Sequence, residues 1–394
     1  MHKQIILKPK RDESLKRFHP WIFSGAIAKY TEKPTDGEIV DVLTNDKLFI
    51  ARGHYQTGSI ACRIITFENE EIDEKFWFKR ISNAYKLREK LGLVKNEQTT
   101  AYRLIHGEGD MLPGLIVDIY GQTAVIQAHS AGMLYERKMI CEILNKIYDS
   151  KLTAIYDKSS ATAPINPDTN VVDEYLLGNK KEDIVLEYGN KFLVNWEEGQ
   201  KTGFFLDQRE NRKILEQYTE KSHVLNTFCY TGGFSVSALR GGANLVHSVD
   251  SSQKAIELTQ KNIELNFGKN VNHQTFADDA FSFIRNAENN FYDVIILDPP
   301  AFAKHNSALK NAIQAYKRLN AAAIAKIKPN GILFTFSCSQ AVDKTSFRNA
   351  VFSAAAICKR NVRILHQLTQ PADHPVNIYH PEGEYLKGLV LYVE

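Results

Sequence analysis

From about residue 190 the chain changes rhythm, and short apolar runs begin to alternate with helical patterns. The runs near His223–Asn226, Leu245–Asp250, His273–Phe276, Val294–Leu297 and Gly331–Phe336 are separated by helical stretches near Phe234–Leu239, Gln253–Asn266 and Ala308–Ile327. Strands that alternate with helices in this way build a doubly wound parallel sheet, an α/β architecture. In such a sheet, ligands sit beyond the carboxyl ends of the strands. Two of these ends carry chemistry. Val294–Leu297 runs into Asp298-Pro299-Pro300-Ala301-Phe302, and Gly331–Phe336 runs into Ser337-Cys338-Ser339. An acid and a thiol are therefore expected to face one pocket. Two last strands, near Val362–Leu368 and Lys387–Val393, are expected to close the sheet.

The 394 residues are enough for two or three domains with a sizeable core. Lys plus Arg exceed Asp plus Glu by only three, 49 against 46. A nucleic-acid partner would then have to be held by local basic patches, because the net charge supplies little steering. The first residues have no apolar core long enough for a signal peptide, and no run approaches a membrane span. The five cysteines (Cys62, Cys141, Cys229, Cys338 and Cys358) are odd in number, scattered and without metal-ligand spacing. The expectation is a reduced, cytoplasmic chain with no structural disulfide, no metal and no membrane partner.

Two segments precede the α/β part. Residues 1–70 read as short strands around Ile5–Leu7, Glu38–Leu43, Leu48–Ala51 and Ile60–Ile65, with Asp36-Gly37, Asn45-Asp46 and Thr57-Gly58 as turns. Residues 72–188 read as a small α+β segment. It has a helix over Asp73–Leu91, a hairpin over Gly114–Gln127, a helix near Leu134–Tyr148 and a strand near Ala154–Tyr156. Ser159–Asn170 reads as a loop. Residues 189–394 make up the third part.

The first α/β strand enters Asn226-Thr-Phe-Cys-Tyr230-Thr231-Gly232-Gly233-Phe234-Ser235. A glycine pair between strand and helix lets the backbone approach a ligand closely, but this is not the G-x-G-x-x-G of dinucleotide sites. The second strand ends in Asp250, whose carboxylate suits the two ribose hydroxyls of an adenosine. The third is followed by Asp279, placed to bind an adenine amino group. Either aspartate taken singly reads as a helix N-cap. Three signals at successive strand ends favour an adenosine cofactor. S-adenosylmethionine fits better than NAD, having no pyrophosphate to cradle. The stretch Gly199–Arg212, with Phe205, Asp207 and Arg209, precedes this domain's first strand and is placed to cover the cofactor's amino-acid end.

Carbon 5 of a pyrimidine is too weakly basic to take a methyl group unaided. A thiolate that adds at carbon 6 makes carbon 5 enamine-like, and a base then removes the carbon 5 proton. Cys338, flanked by serines past a buried strand, suits that role; the other cysteines read as core, Cys229 less clearly.

The chain resembles the bacterial 23S ribosomal RNA large-subunit methyltransferases that form 5-methylcytosine and carry an N-terminal PUA domain. The matching stretches are Phe18-His-Pro-Trp-Ile-Phe-Ser-Gly25, Arg103–Asp118, Gly199–Arg212, Tyr230-Thr-Gly-Gly-Phe234, Asp298-Pro-Pro300, Ser337-Cys-Ser339 and Ala372-Asp-His-Pro375. The resemblance implies a β-rich PUA domain, a central α+β domain and a class I Rossmann-like methyltransferase domain. It implies S-adenosylmethionine as cofactor, held by Phe205, Asp207, Arg209, Tyr230, Thr231, Gly232, Asp250, Asp279, Asp298 and Pro299, with Cys338 and Asp298 catalytic. Related RNA enzymes carry a second cysteine after the Pro-Pro turn; Ala301 stands there instead, so one thiol acts. The base is left open among Asp298, Asp373 and His374.

A base within a helix is unreachable, so the RNA must present it unstacked. Lys3, Lys8, Lys10, Arg11, Lys16 and Arg17 beside Phe18, His19 and Trp21 suit single-stranded RNA. Lys79, Arg80, Lys86, Arg88 and Lys90 read as a solvent-facing helix surface. A homodimer is expected by analogy only. The alternatives are methylation of a nucleobase nitrogen, with Cys338 structural, and a non-catalytic RNA-binding assembly factor.

Overall fold

The computed structural model describes residues 2–164, 171–303 and 305–394. Part of the expected loop, 165–170, lies outside these residues. The chain forms two compact units. The first comprises 1–185, 194–204 and 372–383; the second comprises 186–193, 205–371 and 384–394.

The first unit holds two sheets. The strands Lys3–Leu7, Trp21–Phe23, Ile27–Tyr30, Ile39–Leu43, Phe49–Tyr55 and Ile60–Thr66 make one six-stranded sheet. Alternation along them buries Ile5, Leu7, Val40, Val42 and Ile64 on one core. The strands Ala101–His106, Leu115–Tyr120, Thr123–Ala128, Ala154–Asp157 and Glu174–Leu177 make a five-stranded sheet. Helices Glu74–Lys90 and Ala131–Ile147 share its core, with Trp77 and Ile81 fully buried. Asp73 caps the first of them by accepting from Phe76 N at 2.9 Å.

Two buried arginine–carboxylate pairs cross this unit. Arg88 grips Asp110 at 2.5 and 2.8 Å, and Arg103 grips Asp118 at 2.7 and 2.8 Å. Arg88 is therefore no part of a solvent-facing helix surface. Its helix turns it inward, where the bidentate pair satisfies the charge; Lys79, Lys86 and Lys90 do face solvent. Asp373 and His374 also belong here. Asp373 Oδ2 accepts from Arg103 N at 3.0 Å and Asp373 Oδ1 lies 3.1 Å from His374 Nδ1, while Arg88 donates to the Asp373 carbonyl at 2.7 Å. Both side chains are fully buried and anchor the 372–383 segment.

The second unit is built on seven strands: β1 His223–Thr227, β2 Leu245–Asp250, β3 His273–Ala277, β4 Val294–Leu297, β5 Gly331–Ser337, β6 Val362–Leu368 and β7 Lys387–Val393. Their order is β3-β2-β1-β4-β5-β7-β6. The first five pair in parallel, and β7 runs antiparallel between β5 and β6. The strands near 362 and 387 thus close the sheet as expected. Helices Gly233–Arg240, Gln253–Phe267, Ala280–Asn286, Leu309–Lys326 and Lys344–Cys358 connect the strands. The strand order reverses between β1 and β4, so their carboxyl ends open a crevice there.

Candidate active site

The turn after β1 is tight. Phe228, Tyr230 and Gly232 all have positive φ, at +57°, +48° and +77°. Two side chains of the helix Gln253–Phe267 hold it: Thr259 Oγ1 donates to the Tyr230 carbonyl and Asn262 Nδ2 to that of Thr231, both at 2.8 Å. Non-glycine residues are strained in this region, and such strain persists where surrounding structure over-determines it. A Cβ on Gly232 would come within 2.7 Å of Thr259 Cγ2. Glycine at 232 is thus required by packing against Thr259 as well as by φ.

Asp250 ends β2 with both oxygens aimed at backbone. Oδ2 accepts from Tyr230 N at 3.0 Å and Oδ1 from Ser252 N at 2.9 Å. The carboxylate therefore ties the β1 turn to the end of β2 and stays partly exposed. Asp279 follows β3, exposed, and caps the next helix by accepting from Ser282 N at 2.8 Å.

On the other side, Leu206–Gln208 forms a single tight turn leading into the helix Arg209–Leu215. Gln208 Nε2 donates to Asp298 Oδ1 at 3.0 Å, and Asn211 Nδ2 fixes Gln208 in turn at 2.6 Å. Asp207 Oδ2 accepts from Tyr385 OH at 2.7 Å, while its buried Oδ1 has no partner. Arg212 clamps Glu187 at 2.7 and 2.6 Å and also donates to the Phe205 carbonyl at 2.9 Å. The Phe205 ring meets Tyr230 edge-on at 5.2 Å. Arg209 is buried with its Nε 3.2 Å from Glu210.

The acid and the thiol of β4 and β5 do come together. Leu297, the last residue of β4, pairs with Thr335, two residues before β5 ends at Ser337. Cys338 Sγ lies 3.9 Å from the Pro299 carbonyl. Ser339 binds the two loops: its Oγ accepts from Ala303 N at 3.2 Å and lies 2.9 Å from Tyr316 OH. Phe302 packs 4.7 Å from the Tyr316 ring, so it serves this core contact. Cys338 is partly exposed; Cys62, Cys141 and Cys229 are buried.

Electrostatics set the protonation of the pair. Burial, and then the negative charge of Asp207, push Asp298 up to about 7. Burial, then Asp298 and Asp207, push the Cys338 thiol up to about 12. Gln208, Tyr385 and Lys387 were not singled out in the sequence. Lys387 opens β7 opposite Ser337, and its buried ammonium donates to the Ser339 carbonyl at 2.7 Å. Burial lowers this lysine to about 8. A lysine opening the apolar run Lys387–Val393 was the available signal.

Residues 164–377, more than half of the chain, match the family model for S-adenosylmethionine-dependent methyltransferases. The chain belongs to this methyltransferase family. Residues 5–67 match a PUA-like domain. Over its full length this methyltransferase is similar to proteins named ribosomal RNA large subunit methyltransferase I. It is 40% identical to that of Aeromonas hydrophila, over 99% of each chain. It is 38% identical to that of Escherichia coli O157:H7, over 100% of each chain. In fold it is similar to a candidate SAM-dependent methyltransferase from Streptococcus mutans, with a TM-score of 0.84 and 23% identity over 99% of this chain and 100% of that one. A second solved methyltransferase, complexed with SAH, gives a TM-score of 0.85 at the same identity and coverage.

S-adenosylmethionine is the cofactor of this family, and the site fits it. Asp207 Oδ1 is a buried carboxylate oxygen lacking a donor, which suits a ligand ammonium.

Proposed function

We propose that this methyltransferase acts on carbon 5 of a cytosine in 23S ribosomal RNA, with Cys338 as a covalent nucleophile. The observation that carries the reading is the meeting of a partly exposed thiol and an Asp-Pro turn at neighbouring strand ends, Cys338 Sγ lying 3.9 Å from the Pro299 carbonyl. The full-length similarity to ribosomal RNA large subunit methyltransferases supplies the substrate class.

In this reading the cofactor is held by Tyr230, Thr231 and Gly232 at the β1 turn, by Asp250 at the ribose, and by Asp279 at the adenine. Phe205, Asp207, Arg209, Asp298 and Pro299 hold the amino-acid end. When bound, the cofactor supplies an electrophilic methyl group. Cys338 loses its proton and bonds to carbon 6 of the ring, and the displaced electron pair makes carbon 5 nucleophilic. Asp298, half-protonated near neutral pH, takes up the thiol proton and gives one to the ring nitrogen as charge develops there. After carbon 5 is substituted, a base removes its proton, the double bond re-forms and the Cys338 thiolate leaves. Ala301 leaves release to this single thiol.

The three parts expected from the sequence, 1–70, 72–188 and 189–394, are read as RNA-binding, central and catalytic. Of the N-terminal cations, Lys3 is tied to Glu32 and Glu38 and Lys16 to Asp12, whereas Lys10, Arg11 and Arg17 are exposed and suited to phosphates. No described helix is long and apolar enough to cross a membrane. A cytoplasmic site of action and a homodimer complete the reading; light scattering checks the latter.

The test is nucleoside mapping by mass spectrometry of ribosomal RNA from cells with and without the gene. A single 5-methylcytosine that disappears with the gene is expected; loss of an N-methylated base instead would overturn the carbon-5 chemistry. Asp250→Ala should weaken cofactor binding by roughly 10- to 100-fold, about the worth of a charged hydrogen-bond acceptor, and isothermal titration measures it.

A further inference from the structure

Three stretches singled out in the sequence take no part in the chemistry at Cys338. They are Phe18–Gly25, Arg103–Asp118 and the segment opened by Ala372-Asp-His-Pro375. All three meet at one cavity of about 190 Å³ in the first unit. Phe18 comes from the first, Glu108 and Met111 from the second, and Asn377 and Tyr379 follow the third; Arg80 completes the wall. We propose that this cavity seats one unpaired base of the RNA substrate, distinct from the base that reacts with Cys338. The inference rests on the RNA-methyltransferase reading and adds a second recognition site to it.

The walls are aromatic and left in water. Phe18 is 47% exposed and Tyr379 is 46% exposed. Their ring centroids lie 5.3 Å apart at 49°, and Phe67 meets Phe18 edge-on at 5.2 Å. Phe18 and Met111, the latter also half-exposed, both sit in the left-handed backbone region, with φ of +62° and +58°. Two bulky residues thus accept backbone strain while their apolar side chains stay in water at one cavity. Strain of this kind marks a position that the surroundings over-determine for a use. The turns that impose it are closed by Phe18 N on the Leu15 carbonyl at 2.8 Å and Met111 N on the Glu108 carbonyl at 3.2 Å.

The polar groups are few and fixed. Glu108 Oε1 accepts from Trp21 Nε1 at 2.8 Å, Asn377 Nδ2 donates to the Glu108 carbonyl at 3.2 Å, and Asn377 Oδ1 accepts from Tyr379 N at 3.0 Å. Arg80 donates to the Met111 thioether, a weak acceptor, at 3.2 Å and to the Ile65 carbonyl at 3.3 Å, and its guanidinium lies 5.1 Å from the Phe76 ring centroid. Ring faces bordered by a carboxylate, an amide and a guanidinium suit a flat aromatic ligand with hydrogen-bonding edges. The volume is below the roughly 300–1,000 Å³ of whole-ligand pockets, so it accommodates one ring system. Arg17, exposed and adjacent to Phe18 in sequence, is suited to a neighbouring phosphate. An apolar protein side chain would offer no acceptor to the Arg80 guanidinium at the cavity wall, so the base is favoured.

The test uses the full-length protein with a ribosomal RNA fragment that carries the methylated nucleotide. Phe18→Ala and Tyr379→Ala lie on separate segments and are half-exposed, so at least one should fold as the wild type by thermal melting. Each is expected to weaken RNA binding by roughly 5- to 150-fold, the range for one stacked base. Cofactor affinity by titration should not change. Single abasic substitutions scanned along the fragment should reveal one position that weakens binding to the wild type and not to Phe18→Ala. RNA affinity equal to wild type in both folded variants would overturn the proposal, and a protein side chain as occupant would give that result. Wild-type protein that binds and methylates the fragment, beside variants that bind it equally well, rejects the base site alone. Wild-type protein that transfers no methyl group to ribosomal RNA rejects the parent reading as well.

Discussion

Cys338→Ala should abolish turnover on ribosomal RNA, lowering kcat by on the order of 10⁴-fold or more, the scale on which loss of a covalent nucleophile acts. Cofactor affinity should stay within about twofold, because the turn at Gly232 and the Asp250 carboxylate belong to other strand ends and Asp207 to the turn Leu206–Gln208. The check is single-turnover methyl transfer from labelled S-adenosylmethionine beside a calorimetric titration. A denaturation-resistant protein–RNA adduct should form with a 5-fluorocytosine substrate in the wild type, since no proton can leave carbon 5. It should vanish in the variant. Full activity of Cys338→Ala would sink the nucleophile assignment. The thiol lies high, at about 12, because burial and two carboxylates oppose its charge. Alkylation of Cys338 by iodoacetamide in the free protein should therefore be slow at pH 7.5 and quicken steeply with alkalinity.

Asp298→Asn should have effects of opposite sign on activity and stability. Activity should fall by roughly 10²- to 10⁴-fold, the usual worth of a general acid–base group. The wild-type pH profile should rise through about 7, where Asp298 ionises, and that limb should be missing in the variant. Stability follows from linkage. The folded carboxyl, raised from 3.8 to about 7, holds its proton more tightly than the unfolded one. Its contribution is intact below the unfolded value and is lost as pH rises through 7. Above pH 7 the wild type therefore carries an unfavourable buried charge. The variant, which cannot ionise, should be more stable there by about 2 kcal/mol once partial exposure is discounted. Melting temperatures at pH 5 and pH 8 read this directly: the gain should appear only at the higher pH. The variant's Cys338 should also alkylate faster at pH 8, because a charge that opposes the thiolate is gone.

Much of the catalytic unit was legible because its signals are local. A βαβ sheet leaves a period in the chain, and the residue after each strand is named by where the apolar run stops. Asp250, Asp279, Asp298 and Cys338 all stand at such stops, and the structure places them at the ends of β2, β3, β4 and β5. The two helices that escaped notice, Ala280–Asn286 and Lys344–Cys358, are short or rich in small residues, which blurs the apolar stripe. Arg88 shows the opposite error. A cation on a charged helix reads as solvated, and only Asp110, 22 residues further along, reveals that it is buried.

The sequence by itself determined the sheet, the strand ends that bear chemistry and the family, since each depends on residue order and spacing over short stretches. The tertiary structure alone decided what those groups feel. Asp298 reaches about 7 because it is buried and because Asp207, distant in sequence, adds its negative charge, and Lys387 comes over Ser339 because β7 pairs antiparallel with β5. It also packs Asp373 against Arg103 and Arg88, out of reach of anything the spacing of Ala372-Asp-His-Pro375 could show. The physical reason is common to all three. Protonation and accessibility are set by neighbours in space through burial and Coulomb fields, and those neighbours are brought together only by folding.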